Sequence, residues 1–271
     1  MLLDLWPTLI LLALMILGGP IQIKFMTGPV IWPMVSFTTL SCATALLGTY
    51  SRKHVMREQF GWWFPDIETH FPQMLKKNVD RGGPAEYQQP VRRRSLDLCT
   101  RRGLALDVGA NVGLWSRDLT KAFAQVMAFE PVELFRQCLK KNVTAENLVV
   151  SELALGDQDT QATMIVTPGN TGHSHLDPTT MGSGTVKVVR LDSLDLSDVD
   201  YIKIDCEGFE YRVLQGAEQT IRKHRPVVVV EQKPHQAYSD QYSQHAAVDL
   251  LISWGMRRLD QVKDDWIMGW Q

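Results

Sequence analysis

Five short stretches of the chain place reactive side chains at suggestive spacings: Asp107-Val-Gly109-Ala110-Asn111-Val-Gly113, Glu130-Pro131, Gly156-Asp157, Asp205-Cys206-Glu207-Gly208 and the lone Glu231. Gly109 and Gly113 suit a turn that lets backbone approach a ligand closely, and the N–H groups of a helix that starts there favour a negative or polar group. A nucleotide-like ligand follows. Glu130 comes 21 residues after Gly109, where a carboxylate accepts hydrogen bonds from both hydroxyls of an unphosphorylated ribose. The dinucleotide pattern G-x-G-x-x-G is not met, because Asn111 stands where its second glycine belongs. Asp107, two residues before Gly109, suits a ligand with a cationic or amino-acid end and would repel a pyrophosphate. These features together favour S-adenosylmethionine over NAD.

Methyl transfer from a sulfonium needs little from a protein beyond alignment of a nucleophile and a group that takes its proton. Asp205 and Glu207 are the first candidates for that role, followed by His235 and His173. His173 and His175 sit in a glycine-containing loop, Gly169 to His175, that is expected to be flexible and to cover the site. The plainer reading of Asp205 and Glu207 is that they cap the next helix, whose N-terminus favours acids. Glu231 reads equally well as a reactive group or as a strand-end carboxylate bound to loop backbone. A divalent metal held by Asp205 with another carboxylate would fit hydroxyl activation, but no dense carboxylate cluster in the sequence requires one, and no metal ligands are assigned.

These residues fall at the ends of predicted strands. Leu104–Val108, Val126–Phe129, Leu148–Leu155, Val199–Ile204 and Pro226–Val230 are short apolar runs. They alternate with helical patterns over Leu114–Phe123, Glu133–Asn142, Tyr211–Arg222 and Ala246–Trp254. Strand-like pieces at Ala162–Val166 and Thr185–Leu191 form an insertion, and Arg257–Asp260 with Trp266–Trp270 reads as a closing antiparallel hairpin. The alternation predicts an α/β fold with a doubly wound, mostly parallel sheet whose ligands sit beyond the carboxyl ends of the strands. The chemistry-bearing residues cluster at those ends.

At 271 residues, 45% hydrophobic and 21% charged, the chain can bury a sizeable core and is neither disordered nor polytopic. Its net charge of −2 carries no excess of the kind that attracts a nucleic-acid partner. The four cysteines are far apart and suggest reduced thiols rather than a disulfide or zinc framework. Residues 1–50 differ from the rest: only Asp4 and Lys24 are charged, and Arg52, Lys53, His54 and Arg57 follow. Three readings stay open for this apolar extension: a transmembrane hairpin with the remaining chain on the cytoplasmic side, a secretory signal, or an upstream extension ahead of Met56. Residues 51–103 form a lead-in with an aromatic knot (Phe60 to Pro65, then His70-Phe71-Pro72) that reads as a packing strap. Its arginines, Arg92, Arg93, Arg94, Arg101 and Arg102, read as a solvated helix face. The sequon Asn142-Val143-Thr144 would go unused in a cytosolic domain.

Taken with Ala154-Leu-Gly-Asp157, Arg190-Leu-Asp192-Ser-Leu194 and above all Ile202-Lys-Ile-Asp205-Cys-Glu207-Gly208-Phe-Glu210 followed by Val213-Leu-Gln-Gly216-Ala217, the motifs of residues 104–271 resemble the FkbM family of S-adenosylmethionine-dependent methyltransferases. The resemblance implies a class I methyltransferase fold, with seven strands and a reversed final hairpin, and methyl transfer to a hydroxyl on a sugar, glycolipid or natural-product-like acceptor. It further implies that Gly109 to Gly113 hold the methionine part of the cofactor, that Glu130 and Pro131 lie at its ribose and Asp157 near its adenine, and that Asp205 and Glu207 line the reaction side. Cys206 departs from the small aliphatic residue commoner there. Two other functions are retained: an NAD-dependent oxidoreductase or epimerase, which lacks its glycine spacing and a Tyr-x-x-x-Lys pair here, and a non-catalytic, membrane-tethered cofactor-binding module.

Overall fold

A computed structural model of the protein describes residues 55–177, 184–233, 243 and 245–270. The apolar stretch 1–50 and His235 lie outside the described residues. Among the described residues no helix is long and apolar enough to cross a membrane.

The lead-in opens with a hairpin, β1 (Met56–Gln59) and β2 (Trp62–Pro65), followed by helices α1 (His70–Asp80) and α2 (Gln89–Leu98). Then β3 (Leu104–Val108), α3 (Ser116–Ala122), β4 (Gln125–Phe129), α4 (Glu133–Asn142) and β5 (Leu148–Ser151) alternate. Short strands β6 (Ala154–Leu155), β7 (Thr160–Ile165), β8 (His175–Asp177) and β9 (Thr185–Val189) come next, ahead of β10 (Val199–Ile204). The chain closes with α5 (Glu210–Gln215), α6 (Glu218–His224), β11 (Val227–Glu231), α7 (Ala246–Ser253), β12 (Arg257–Val262) and β13 (Asp265–Gly269).

Seven strands form one sheet in the order β12-β13-β11-β10-β3-β4-β5. β13 is inserted antiparallel between β11 and β12, and the β3–β4, β4–β5, β3–β10 and β10–β11 pairs are parallel. This is the α/β, doubly wound arrangement with a reversed final strand that the sequence predicts. Parallel strands covered on both faces must be apolar throughout, and β3, β10 and β11 are buried almost end to end. Their side chains alternate between two cores. Leu106, Ile202, Ile204, Val228 and Val230 pack toward α5, α6 and α7, whereas Ala105, Tyr201, Val229 and Ile267 pack with Val91 of α2 and Leu119 of α3.

Two expected elements break. The strand predicted over Leu148–Leu155 leaves the large sheet after Ser151, and β6 joins a separate four-stranded sheet, β6-β9-β7-β8. The helix predicted over Tyr211–Arg222 divides at Gly216-Ala217. A Cβ on Gly216 would lie 1.9 Å from the carbonyl oxygen of Gly156, so the β6 connection crosses directly over the helix backbone and interrupts it. The aromatic knot is a strap: Trp62, Phe64, Phe71 and Leu75 are buried against Val112, Leu114 and Cys138. Asn142 fastens it, accepting from the Trp63 N–H (2.6 Å) and donating to the carbonyls of Trp63 (2.9 Å) and Val112 (2.8 Å). The sequon asparagine is therefore buried and engaged. Arg92 departs from the solvated face expected of its run. It is buried, paired with Glu86 (3.0 Å) and Asp118 (2.7 Å) and set over the Trp115 ring, while Arg93 and Arg94 stay exposed.

Because backbone rather than a flexible side chain faces Gly216, Gly216→Ala is expected to lower the unfolding free energy by ~1–3 kcal/mol, the usual cost of overpacking. Urea unfolding of the full chain checks this, and an unchanged midpoint would contradict the packing described.

Candidate functional site

The carboxyl ends of β3, β4 and β10 open into a cavity. Gly109, Ala110, Asn111, Glu130, Pro131, Asp205 and Glu207 all line it. Asp107, Gly113 and Asp157 do not. Asp107 lies wholly buried beneath the floor, Gly113 packs inward against Leu139 and Val143, and the Asp157 carboxylate pairs with Arg212 at 3.0 Å. A second cleft adjoins the first and shares Phe71, Tyr87, Gly172 and Glu207 with it. His70, His173, Glu231, Lys233 and Asp265 face this cleft.

The glycine turn is built for the protein's own backbone. A Cβ on Gly109 would lie 2.0 Å from the Asp205 carbonyl oxygen, so the missing side chain lets the β3 and β10 loops pass. The amides of the turn are occupied as well, which corrects the expectation that they face a negative group. The N–H groups of Gly109 and Ala110 donate to the Phe129 carbonyl (both 3.1 Å), that of Asn111 to Glu130 Oε2 (2.8 Å) and that of Val112 to Asn111 Oδ1 (2.8 Å). No anion-binding nest results, and a pyrophosphate finds no donors there.

Glu130 receives the Asn111 N–H on one oxygen and the Val132 N–H (2.8 Å) on the other. Burial pushes its pKa up to about 7 against those hydrogen bonds. Phe135, Leu153 and Leu155 supply apolar wall nearby.

In the floor of the cavity lies Lys203, the last residue but one of β10 and 4% exposed. Its Nζ is 3.4 Å from Asp205 Oδ2 and 3.7 Å from Asp107 Oδ1, and donates to the Gly109 carbonyl at 3.3 Å. Burial opposes its charge, yet Asp205 and Asp107 outweigh that and raise its pKa. Burial raises the pKa of Asp107, offset in part by Lys203 and by the hydroxyl of Ser116, which donates to Oδ2 at 2.6 Å. Asp107 thus neutralises Lys203 and is not presented to a ligand, contrary to the expectation from its position in the motif. For Asp205, burial works against the charge, but Lys203 and then Lys233 hold its pKa below the ordinary value.

Capping of the helix after β10 falls to neither Asp205 nor Glu207. Glu210, 1% exposed, accepts from the Cys206 N–H (2.8 Å) and the Gly208 N–H (3.0 Å), which leaves the two earlier carboxylates facing the cavity. Glu207 has φ +52°, and Asn111 in the opposite loop has φ +49°. Such left-handed backbone on residues other than glycine costs about 1–3 kcal/mol each and gathers at functional sites. Burial, then the charge of Asp205, raises the pKa of Glu207. Glu231 is raised by the same two causes. Oxygens of Asp205, Glu207 and Glu231 come within 4.8 Å of one another, a spacing that a hard divalent cation can use. The ammonium of Lys233 is seated on two of the three, 2.5 Å from Glu231 Oε2 and 3.2 Å from Glu207 Oε1.

The loop expected to be a flexible cover is pinned. Glu68, fully buried, accepts from the Thr171 N–H (2.6 Å), the Thr171 hydroxyl (2.7 Å) and the Phe71 N–H (2.9 Å). Gly169 exchanges backbone bonds with Ile67, Thr69 and His70, and Asn111 Nδ2 reaches the Thr171 carbonyl at 3.1 Å. Through these contacts His173 faces the second cleft and His175 the first.

Sequence reasoning did not reach Lys203, Lys233, Glu68, Tyr87 or Asp265. Lys203 alone carried a signal, a lysine between two isoleucines in a predicted buried strand.

Residues 107–260 match the family model described as the methyltransferase FkbM domain. No curated protein matches the chain. Among solved structures the chain is similar to a methyltransferase FkbM from Methylobacillus flagellatus KT (17% identity, TM-score 0.40, 62% of this chain and 42% of that one). It is also similar to a precorrin-6y C5,15-methyltransferase from Geobacter metallireducens GS-15 (14%, 0.42, 68% and 88%) and to a putative O-methyltransferase from Klebsiella pneumoniae (11%, 0.42, 85% and 96%).

Asp265, whose pKa burial and then Asp205 raise from 3.8 to about 7, generates a pH prediction. An acid with a raised folded pKa binds its proton more tightly when folded, so its ionisation costs stability as pH climbs from about 4 to about 7. Asp265→Asn is expected to gain stability relative to the parent across that window, read by urea unfolding at several pH values. A difference independent of pH would contradict the assignment.

Proposed function

The chain belongs to the FkbM methyltransferase family, and from that premise we propose that it transfers a methyl group from S-adenosylmethionine to a hydroxyl of a sugar-like acceptor held in the second cleft. One observation carries the reading: Glu207 faces both the cofactor cavity and the neighbouring cleft, beside Asp205 at the mouth between them.

The cavity's residues fit the cofactor. Glu130 offers its remaining lone pairs to ribose hydroxyls, Phe135, Leu153 and Leu155 form an apolar slot for a purine, and the ionised Asp205 stands ready for a cationic end. The engaged amides of residues 109–112 argue against a pyrophosphate, and so against the NAD-dependent alternative. When bound, S-adenosylmethionine supplies an electrophilic methyl on a sulfonium. Phe71 and Tyr87, whose rings meet edge to face with centroids 5.0 Å apart, narrow the passage between cavity and cleft and orient the acceptor. Glu207, its pKa raised toward the range useful in a base, takes the hydroxyl proton as the acceptor oxygen takes the methyl. Asp205, held ionised by Lys203, directs the hydroxyl toward that geometry. His70 is a further group able to accept a proton at this cleft, since burial lowers its pKa and favours the neutral ring. The mixture of carboxylates, histidines and aromatic rings suits a polyhydroxylated acceptor better than an apolar one.

Calorimetric titration of the full chain with S-adenosylhomocysteine, with NAD as control, tests the cofactor. Binding of S-adenosylhomocysteine alone is expected, weakened at least about tenfold by Glu130→Ala through the loss of a hydrogen-bonding carboxyl group. Glu207→Gln is expected to keep that affinity and to slow transfer of labelled methyl to glycan acceptors by about 10²–10⁴-fold. Binding of NAD, or of neither ligand, would overturn the reading.

A further inference from the structure

The three carboxylates at the mouth of the site come from two neighbouring strand ends: Asp205 and Glu207 follow β10, and Glu231 closes β11. Held with oxygens within 4.8 Å of one another, they repel when ionised, and the repulsion is relieved by a retained proton or by cations set among them. Oxygen-only clusters of this kind commonly take a divalent ion.

Here the chain provides the cations. Lys203 approaches Asp205 from below at 3.4 Å. Lys233 lies two residues beyond Glu231, where Gln232 donates its N–H to the Asp264 carbonyl (2.9 Å) and fixes the backbone direction. The Lys233 ammonium contacts Glu231 at 2.5 Å and Glu207 at 3.2 Å. An ammonium has three directional donors, so it sets the orientation of each carboxylate it touches.

We propose that Lys233 is a built-in counter-ion, a positioning residue that occupies the place of a divalent cation among Asp205, Glu207 and Glu231 and aims the Glu207 carboxylate at the acceptor cleft. The proposal rests on the reading of this mouth as the site of methyl transfer. It assigns charge compensation of the acidic cluster to the protein itself, and it gives Lys233 and Glu231 a shared role, the one orienting the other.

Titration of the full chain with Mn²⁺, followed by the paramagnetic resonance signal of the free ion, tests it. The native protein is expected to show no Mn²⁺ site that Glu231→Gln removes. Lys233→Met is expected to gain one Mn²⁺ per chain, bound at least about tenfold more tightly than by the native protein, the order that follows from removing a unit charge ~4 Å from a doubly charged ion. That site is expected to vanish in the Lys233→Met, Glu231→Gln double variant and to be absent from Lys233→Arg. Lys233→Gln serves as a second probe if the methionine variant does not fold. S-adenosylhomocysteine titration of each variant reports separately on the cofactor reading, which fails if the native protein does not bind that product whatever the Mn²⁺ result. A stoichiometric Mn²⁺ site in the native protein that Glu231→Gln abolishes would overturn the proposal. So would a folded Lys233→Met variant that binds S-adenosylhomocysteine but takes up no Mn²⁺.

Discussion

A single buried cation organises the centre of this protein. Lys203 sits opposite Asp107 in the register of β3 and β10, two strands buried along their whole length. A charge there is tolerated only if it is paired and hydrogen-bonded. It reaches Asp107, Asp205 and the Gly109 carbonyl together, which ties the β3 turn to the β10 loop below the cavity. The loops cross closely at Gly109 just beside this contact, and Lys203, with Lys233 after it, holds the Asp205 carboxylate ionised.

Above that floor the roof comes from elsewhere in the chain. The lead-in contributes Phe71 and Tyr87, the connection between β7 and β8 contributes Thr171, Gly172 and His173, and β8 opens with His175. Glu68 joins the two, with one buried carboxylate satisfying donors from both segments. Much of the second cleft, including His70, Arg81, Glu86 and Gln88, belongs to residues 70–90, ahead of the span that matches the family. The first cavity is thus lined mainly by the family's sheet and its loops, and much of the second cleft by an element placed against them. This division agrees with the general rule that scaffolds carry a fold while loops and additions carry selectivity.

The acids of the site fall into distinct electrostatic classes, and burial against a specific neighbour decides which. Asp205 stays ionised beside two lysines, whereas Glu207 and Glu231, a few ångströms away, are raised by burial and by the charge of Asp205 itself. Closely spaced acids pushed apart in this way are what proton transfer near neutral pH requires. Glu210 contributes by holding the loop amides, so the loop keeps its left-handed turn at Glu207 without drawing on either of the other carboxylates.

Much of the architecture was legible in the residues. Alternating apolar runs and helical periods located the five central strands, the closing hairpin and the strand ends at which the cavity opens, because burial on both faces of a parallel sheet leaves a distinctive composition. The motifs at 107–113 and 205–210 likewise marked the loops of the site. Tertiary structure alone decided what each residue does there. Asp107 and Gly109 look like ligand-facing groups in the sequence, yet one neutralises Lys203 and the other gives room to the Asp205 carbonyl. The break at Gly216 arises from backbone of the β6 connection, sixty residues away in the chain. Lys233, Glu68 and Tyr87 acquire meaning only from neighbours that are distant in sequence, since pairing of buried charges and closure of a cleft depend on distances through space that local spacing does not encode.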